Sequence, residues 1–422
     1  MTSSLRGLLI PFRSRISKFF GIPSQVASLE RAKPSTVTEE PDYYRIGGFH
    51  PISLGDTFHH GQYTILRKLG YGQYSTVWLA RDSGHEKYVA LKVLRADCYG
   101  GPHDIFEREI LSRISEISNQ SSHPGCNYVS HLLEQFKHTG PNGEHVCLVF
   151  DVLGHHLGFQ AARYEDGKLP VQAVKGITRQ LLLGLDFLHR ECGIIHTDLK
   201  PTNILLELDN SSSTVSQYLS EVPVRVDSQC GAPLREVIST PLISETQNFH
   251  IRIIDFGVAS WKEKHLSDLI QSPALRAPEV TIGAPWDSGV DIWSLGCLVM
   301  EFVQGIVLFS GEASSGGIWT AEDDHLARMI EILGQFPSHF IAKGHRAAHF
   351  FDKQGNFIRI PNMEATSLER LVNGKTKPFL KPIDMPDAEV PVFIDFLKGM
   401  LAIDPACRKS AAELLEHDWI RL

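Results

Sequence analysis

The chain has 422 residues, 49 acidic and 41 basic, with a formal net charge of −8, and 42 % of its residues are hydrophobic. That length can bury a large core, and the composition is that of an ordinary globular protein. The acidic balance argues against bulk binding to nucleic acid or to an anionic membrane and suits a positively charged partner, although as a solvated surface it also simply aids solubility. Seven scattered cysteines without a CxxC spacing specify neither a disulfide framework nor a zinc site, and they favour a reducing compartment. No apolar run reaches the ~20 residues of a membrane helix.

From Met1 to Leu29 there is no acidic residue, while Arg6, Arg13, Arg15 and Lys18 are interleaved with Leu8, Ile10, Phe12, Ile16 and Phe19. Such a start reads as an organelle transit peptide, as a surface-binding segment or as a plain tail, and Pro11 counts against a helix there. Residues 1–40 are therefore assigned to a tail or targeting segment. Residues 41–62, rich in Pro, Gly and His, are assigned to an extended arm.

Strand-like alternation follows at Gln62–Leu69 and Thr76–Arg81, with a glycine-bearing turn between, and again at Tyr88–Leu94 and Val146–Val152. Between them Ile105, Ile110, Ile114 and Ile117 have helical spacing. Beyond residue 150 the pattern is mostly helical. Val171–Arg190 carries one apolar face and stops at Gly193, and further helices are expected at Val290–Gln304, Asp323–Leu333, Pro391–Leu401 and Ala411–Glu416. Residues 208–246, full of Ser, Thr, Asn, Gln and Pro, read as a mobile loop insertion. The expected fold is α+β with two lobes: a small antiparallel sheet with one main helix at 63–150, and a larger helical lobe at 151–422.

Local motifs sit on these elements. The turn Gly70-Tyr71-Gly72-Gln73-Tyr74-Ser75-Thr76-Val77 would let backbone approach phosphate oxygens without a Cβ in the way, although a GxG hairpin is most often only a turn. Lys92, in the apolar strand Val89-Ala90-Leu91-Lys92, is either an outward edge lysine or a buried cation that needs anionic partners. His196-Thr197-Asp198-Leu199-Lys200-Pro201-Thr202-Asn203 precedes the apolar Ile204-Leu205-Leu206, and Ile251–Ile254 delivers Asp255-Phe256-Gly257. Ala277-Pro278-Glu279, Asp291 and Arg408 complete the set.

In this order and these lobes the motifs resemble those of the eukaryotic protein kinases, from about Tyr63 to Leu422. Within that superfamily the chain is most similar to the SR-protein kinases, in a divergent fungal form. Tyr44-Arg45-Ile46-Gly47-Gly48-Phe49-His50-Pro51, the Ser75 in the glycine turn, Val149-Phe150-Asp151-Val152-Leu153-Gly154, His196-Thr197-Asp198, the insertion and Asp323-Asp324-His325-Leu326 carry the likeness.

The resemblance implies a serine/threonine protein kinase that uses ATP and Mg²⁺. Asp198 would accept the proton of the attacking hydroxyl, Lys200 would meet the γ-phosphate, and Asn203 and Asp255 would hold the metal. Lys92 would hold phosphates and pair with a helix glutamate. Glu109 is preferred for that pairing because Ile110 and Ile114 then pack beside it, and Glu107 is the rival. Leu69, Gly70, Gly72, Val77, Ala90, Phe150, Asp151 and Leu153 would enclose the nucleotide, with Phe150 as gatekeeper and the Asp151 and Leu153 backbones on the adenine edge. Glu279 with Arg408, and Asp291, would be structural. A pseudokinase scaffold of the same fold is the alternative, but all four of Lys92, Asp198, Asn203 and Asp255 are present.

The implied partners are protein substrates, such as Arg/Ser-rich splicing factors. No direct nucleic-acid binding is expected, and the enzyme is expected to be a monomer. The family suggests cytoplasm and nucleus, and the basic start suggests mitochondria. The short acidic run Glu322, Asp323 and Asp324 reads equally as a docking surface for arginines or as a solvated face. The segment Gln271-Ser272-Pro273-Ala274-Leu275-Arg276 departs from the family's Thr-Arg-Gln-Tyr-Arg after the glutamine. Thr197, uncharged where many kinases have an arginine, predicts activity without activation-segment phosphorylation.

Overall fold

The computed structural model describes residues 39, 41–100, 104–224, 226–227, 235–236, 241–244, 249–360 and 363–421. Apart from Glu39, the segment read as tail or targeting sequence lies outside the described residues.

Six strands form one antiparallel sheet in the order β1-β2-β3-β4-β6-β5. They are β1 (Thr57–Phe58), β2 (Tyr63–Tyr71), β3 (Ser75–Asp82), β4 (Lys87–Leu94), β5 (Glu134–Gly140) and β6 (Gly143–Asp151). One apolar face, with Phe58, Tyr63, Ile65, Trp78, Val89, Leu91 and Val149, forms its own buried cluster. The expected extended arm is thus partly sheet: Phe58 pairs with Tyr63 and buries its ring. Strand β5 has no clear signature in the sequence because its burial alternates between intermediate and exposed and Phe136 is its one large apolar residue. It is an edge strand, where packing demands little of the side chains.

The opposite face carries α1 (Glu107–Ser118), whose Ile110, Leu111 and Ile114 are fully buried in one cluster with Leu94, Val146 and Leu148. The register sets Lys92 of β4 opposite Val77 of β3 and Leu148 of β6, in the middle of the sheet.

The second lobe begins with α2 (Leu157–Ala162) and α3 (Val171–Asp186), which runs on through a wider turn at Phe187–Cys192 and stops where Gly193 takes φ 67°. Short strands β7 (Ile194–Ile195) and β8 (Ile204–Leu206) flank the catalytic-loop motif. After α4 (Ser211–Glu221) come β9 (Val226–Asp227) and β10 (Arg235–Glu236), which pair, then β11 (Ile251–Ile253) against β8 and β12 (Ser260–Trp261) against β7. Helices α5 (Pro278–Ile282), α6 (Gly289–Gln304), α7 (Ala321–Leu333), α8 (Ser338–Ile341), α9 (Leu368–Val372), α10 (Glu389–Met400), α11 (Ala411–Leu415) and α12 (Asp418–Arg421) complete it. α6 is buried almost all round, as befits the central helix of a lobe.

The polar insertion is not wholly loop. Its Ser211–Glu221 stretch is the helix α4, capped by the Asn210 side chain, which accepts from Ser213 N at 3.1 Å. Val215, Tyr218 and Leu219 stand at helical spacing and pack with Leu79, Val152 and Leu242 in a small core beside the sheet. Five serines in eleven residues dilute that pattern below recognition in the sequence.

Candidate functional site

A cleft of about 520 Å³ opens between the lobes. Its lining includes Leu69, Gly70, Gly72, Val77 and Ala90 from the sheet, Phe150, Asp151 and Leu153 from the connection, and Lys92, Lys200, Asn203 and Asp255. Those residues come from positions far apart in the chain, and β2, β3, β4, β8 and the turn after β11 bring them to one place. Asp198 does not itself line the cavity but lies at its edge. Lys200 Nζ donates to Asp198 Oδ2 at 2.6 Å, and Asn203 Nδ2 donates to the Asp198 carbonyl at 2.9 Å.

Lys92 is buried, and burial alone works against its ammonium. The carboxylates of Asp255 and Glu107 outweigh that penalty and hold its pKa above the ordinary value. The distances are 2.6 Å to Glu107 Oε1 and 2.8 Å to Asp255 Oδ1. The Lys92 charge, against a smaller burial penalty, holds Asp255 down to about 2. Both groups therefore stay charged at neutral pH.

The structure corrects the preferred helix partner. Glu107, the first residue of α1, holds Lys92, whereas Glu109 accepts from Arg108 Nε at 3.0 Å and from Tyr99 Oη at 3.3 Å. Residues two apart on a helix point about 200° apart around its axis, so only one of the two glutamates faces the cleft. Packing of Ile110 and Ile114 selects Glu107.

The catalytic-loop motif is held from beneath. Asp291, buried at the start of α6, accepts from the backbone N–H groups of His196 and Thr197, each at 2.8 Å, and its Oδ2 is 2.8 Å from His189 Nε2. Burial alone would raise this carboxyl, yet the hydrogen bond and charge of His189 and the neighbouring His196 bring it below its ordinary value. These bonds fix Thr197 at φ 66°, a conformation unfavourable for a β-branched residue. The Thr197 hydroxyl donates to the Val258 carbonyl at 2.7 Å and ties the loop to the segment after Asp255.

Ser272, in the altered segment before Glu279, donates its hydroxyl to Asp198 Oδ1 at 2.9 Å. Gln271 anchors that segment: its Nε2 donates to the Leu275 and Val290 carbonyls, and its Oε1 accepts from Ala277 N. Arg276 donates to the Ile270 and Gln271 carbonyls. Glu279 and Arg408 form a fully buried bidentate pair at 2.7 and 3.0 Å.

Among the described residues no three His, Cys, Asp or Glu side chains gather as a metal cluster. Asn203 and Asp255 nevertheless fit Mg²⁺, which takes few protein ligands and draws the rest from phosphates and water. The Asn203 amide nitrogen is spent on Asp198, which leaves an oxygen, a hard donor, as its other amide atom.

Sequence reasoning missed several lining residues. Leu205, His155 and His156 also line the cleft, and Tyr218, Pro241 and Leu242 reach it from the insertion. The Val215, Tyr218, Leu219 spacing was the one available signal for the last group. The acidic run also differs from expectation. Asp323 is buried and accepts from Arg359 Nε, Asp324 is buried and accepts from Arg328 Nε, and Glu322 pairs with Arg346. The run serves the fold around α7 and is neither a solvated face nor an open docking surface.

The model of the protein kinase domain matches residues 63–420. The protein kinase dsk1 of Schizosaccharomyces pombe is 32 % identical over 92 % of this chain and 86 % of its own. The serine/threonine-protein kinase SRPK of Physarum polycephalum is 33 % identical over 90 % of this chain and 91 % of its own. SRSF protein kinase 3 of Mus musculus is 28 % identical over 90 % of each.

Proposed function

The chain belongs to the protein kinase family, as a serine/threonine kinase of the SR-protein kinase type, and on that premise we propose that it transfers the γ-phosphate of ATP to serines of arginine- and serine-rich proteins such as splicing factors. The observation that carries the reaction is the convergence of Lys92, Asp255, Asn203, Lys200 and Asp198 on one cleft. The name SRSF protein kinase, borne by one relative, and the net charge of −8 support the substrate class.

Leu69, Val77, Ala90 and Leu205 would enclose the adenine, and the backbones of Asp151 and Leu153 would meet its edge. Lys92 holds the phosphates, and the glycine turn lets backbone reach them. Asn203 and Asp255 would hold Mg²⁺, which would supply positive charge against the phosphates. Asp198 orients the substrate hydroxyl and accepts its proton, and Ser272 keeps one carboxylate oxygen of Asp198 in place. Lys200 meets the charge on the transferring group.

A phosphorylation profile over peptide libraries tests the substrate class. Arg/Ser repeats should exceed acidic and proline-directed sites at equal concentration. A preference for acidic sites would overturn the proposal. We place the enzyme in cytoplasm and nucleus, and imaging of the chain with and without residues 1–30 decides between that address and mitochondria.

A further inference from the structure

Glu107 is the first residue of α1, so its place opposite Lys92 depends on where the helix begins. The first N–H groups of a helix have no partner inside it. Phe106, at the cap position, supplies no side-chain acceptor. The acceptor comes from outside the helix: Tyr99 Oη accepts from Arg108 N at 2.8 Å. The same hydroxyl donates to Glu109 at 3.3 Å, and the Arg108 guanidinium lies over the Tyr99 ring at 5.0 Å.

Tyr99 is itself firmly mounted. It follows a single helical turn at Ala96–Cys98, closed by Arg95 on Asp97 at 2.6 and 3.0 Å. Arg95 N donates to the Tyr74 carbonyl in the glycine hairpin at 2.9 Å, and Ile105 N donates to the Cys98 carbonyl at 3.0 Å. The hydroxyl thus connects the end of the glycine hairpin to the start of the glutamate helix. Burial, with help from Glu109 and against the Arg108 N–H, keeps the phenol protonated well above its ordinary range.

We propose that Tyr99 is a positioning residue for phosphate transfer: its hydroxyl caps α1 and thereby holds Glu107 on Lys92. Glu109 takes part by aiming that hydroxyl. The device is permanent, since it needs no added phosphate to fix the helix.

Tyr99→Phe removes the hydroxyl and keeps the ring. It should lower kcat/KM for ATP about three- to tenfold, mostly through KM, the size expected for one hydrogen bond. The readout that a purely structural role would not move is the coupling between Tyr99 and Glu107. Tyr99→Phe acting through Glu107 should cost little further kcat/KM in a Glu107→Gln background, whereas an independent structural loss would add in full. Wild-type kcat/KM in Tyr99→Phe, or full additivity of the two substitutions, would overturn the proposal. Should that variant melt too low to assay, Glu109→Ala takes its place in the same cycle: a coupled loss supports the proposal, and no loss or full additivity overturns it. The inference rests on the proposed role of Lys92, which fails separately if Lys92→Met keeps normal turnover.

Discussion

Lys92 Nζ lies 2.6 Å from Glu107 Oε1, at the very start of its helix, while Glu109 faces away and holds Arg108. A hydrogen bond to a charged group contributes about 1.5–3 kcal/mol, a factor of roughly 10–150 in rate. Glu107→Gln should therefore lower kcat/KM for ATP by about one to two orders of magnitude. Glu109→Gln, which still accepts from Tyr99, should stay within about threefold of wild type. Steady-state kinetics of both variants decide the matter, and the reverse ranking would contradict the assignment.

That relationship also marks the limit of what the sequence reveals. The motifs locate Lys92, Asp198, Asn203 and Asp255 because each is tied to a local pattern, a strand or a turn, that survives in one dimension. The choice between Glu107 and Glu109 depends on which face of α1 each occupies: Glu107 stands three and seven residues before Ile110 and Ile114 and shares their face, a spacing that the preference for Glu109 misread. Strand β5 and helix α4 were illegible for a different reason. Their apolar residues are few, and the surface each packs on (the hairpin partner β6 for one, Leu79 and Val152 for the other) selects the conformation. Asp323 looked like surface charge because Arg359, which neutralises it, lies far along the chain, whereas Asp324 meets Arg328 one turn further on the same helix, a spacing the sequence does show.

The pair Arg408–Glu279 is fully buried, and its removal should be felt in stability. Breaking one partner of a buried ion pair costs about 3–5 kcal/mol, because the other charge is left without compensation. Arg408→Ala should lower the urea midpoint accordingly. The Arg408→Ala, Glu279→Ala double variant should recover part of the loss. A single variant as stable as wild type would show that the pair is dispensable.

The segment between Asp255 and Glu279 is held by the Gln271 amide and the Arg276 guanidinium, and Thr197 bonds to the Val258 carbonyl. None of these ties uses a phosphate. Phosphatase-treated enzyme should keep its full turnover, whereas Gln271→Ala should lose at least about tenfold, since several buried groups then lack partners. Loss of most activity on phosphatase treatment would refute this.

His50, in the arm, packs against His138 at 4.6 Å and His145 at 5.0 Å, with Asp56 acting on His138. Burial first, and then the other two histidines, hold His50 down to about 4 from its ordinary 6.5. Between those values the unfolded chain binds more protons than the folded one, so stability falls as pH drops from 6.5 towards 4 and is fully present above 6.5. A histidine-resolved NMR titration should find His50 neutral at pH 6. A midpoint near the ordinary value would contradict this account.

The most direct measurement is Mg²⁺-dependent phosphate transfer from ATP to a serine peptide by wild type and Asp198→Asn. We expect transfer by the wild type, its loss on chelation of the metal, and a drop of about 10²–10⁴ in the variant, the size of a missing proton acceptor, with unchanged melting temperature. Equal transfer by Asp198→Asn, or nucleotide binding by the wild type without transfer to any peptide, would contradict the account.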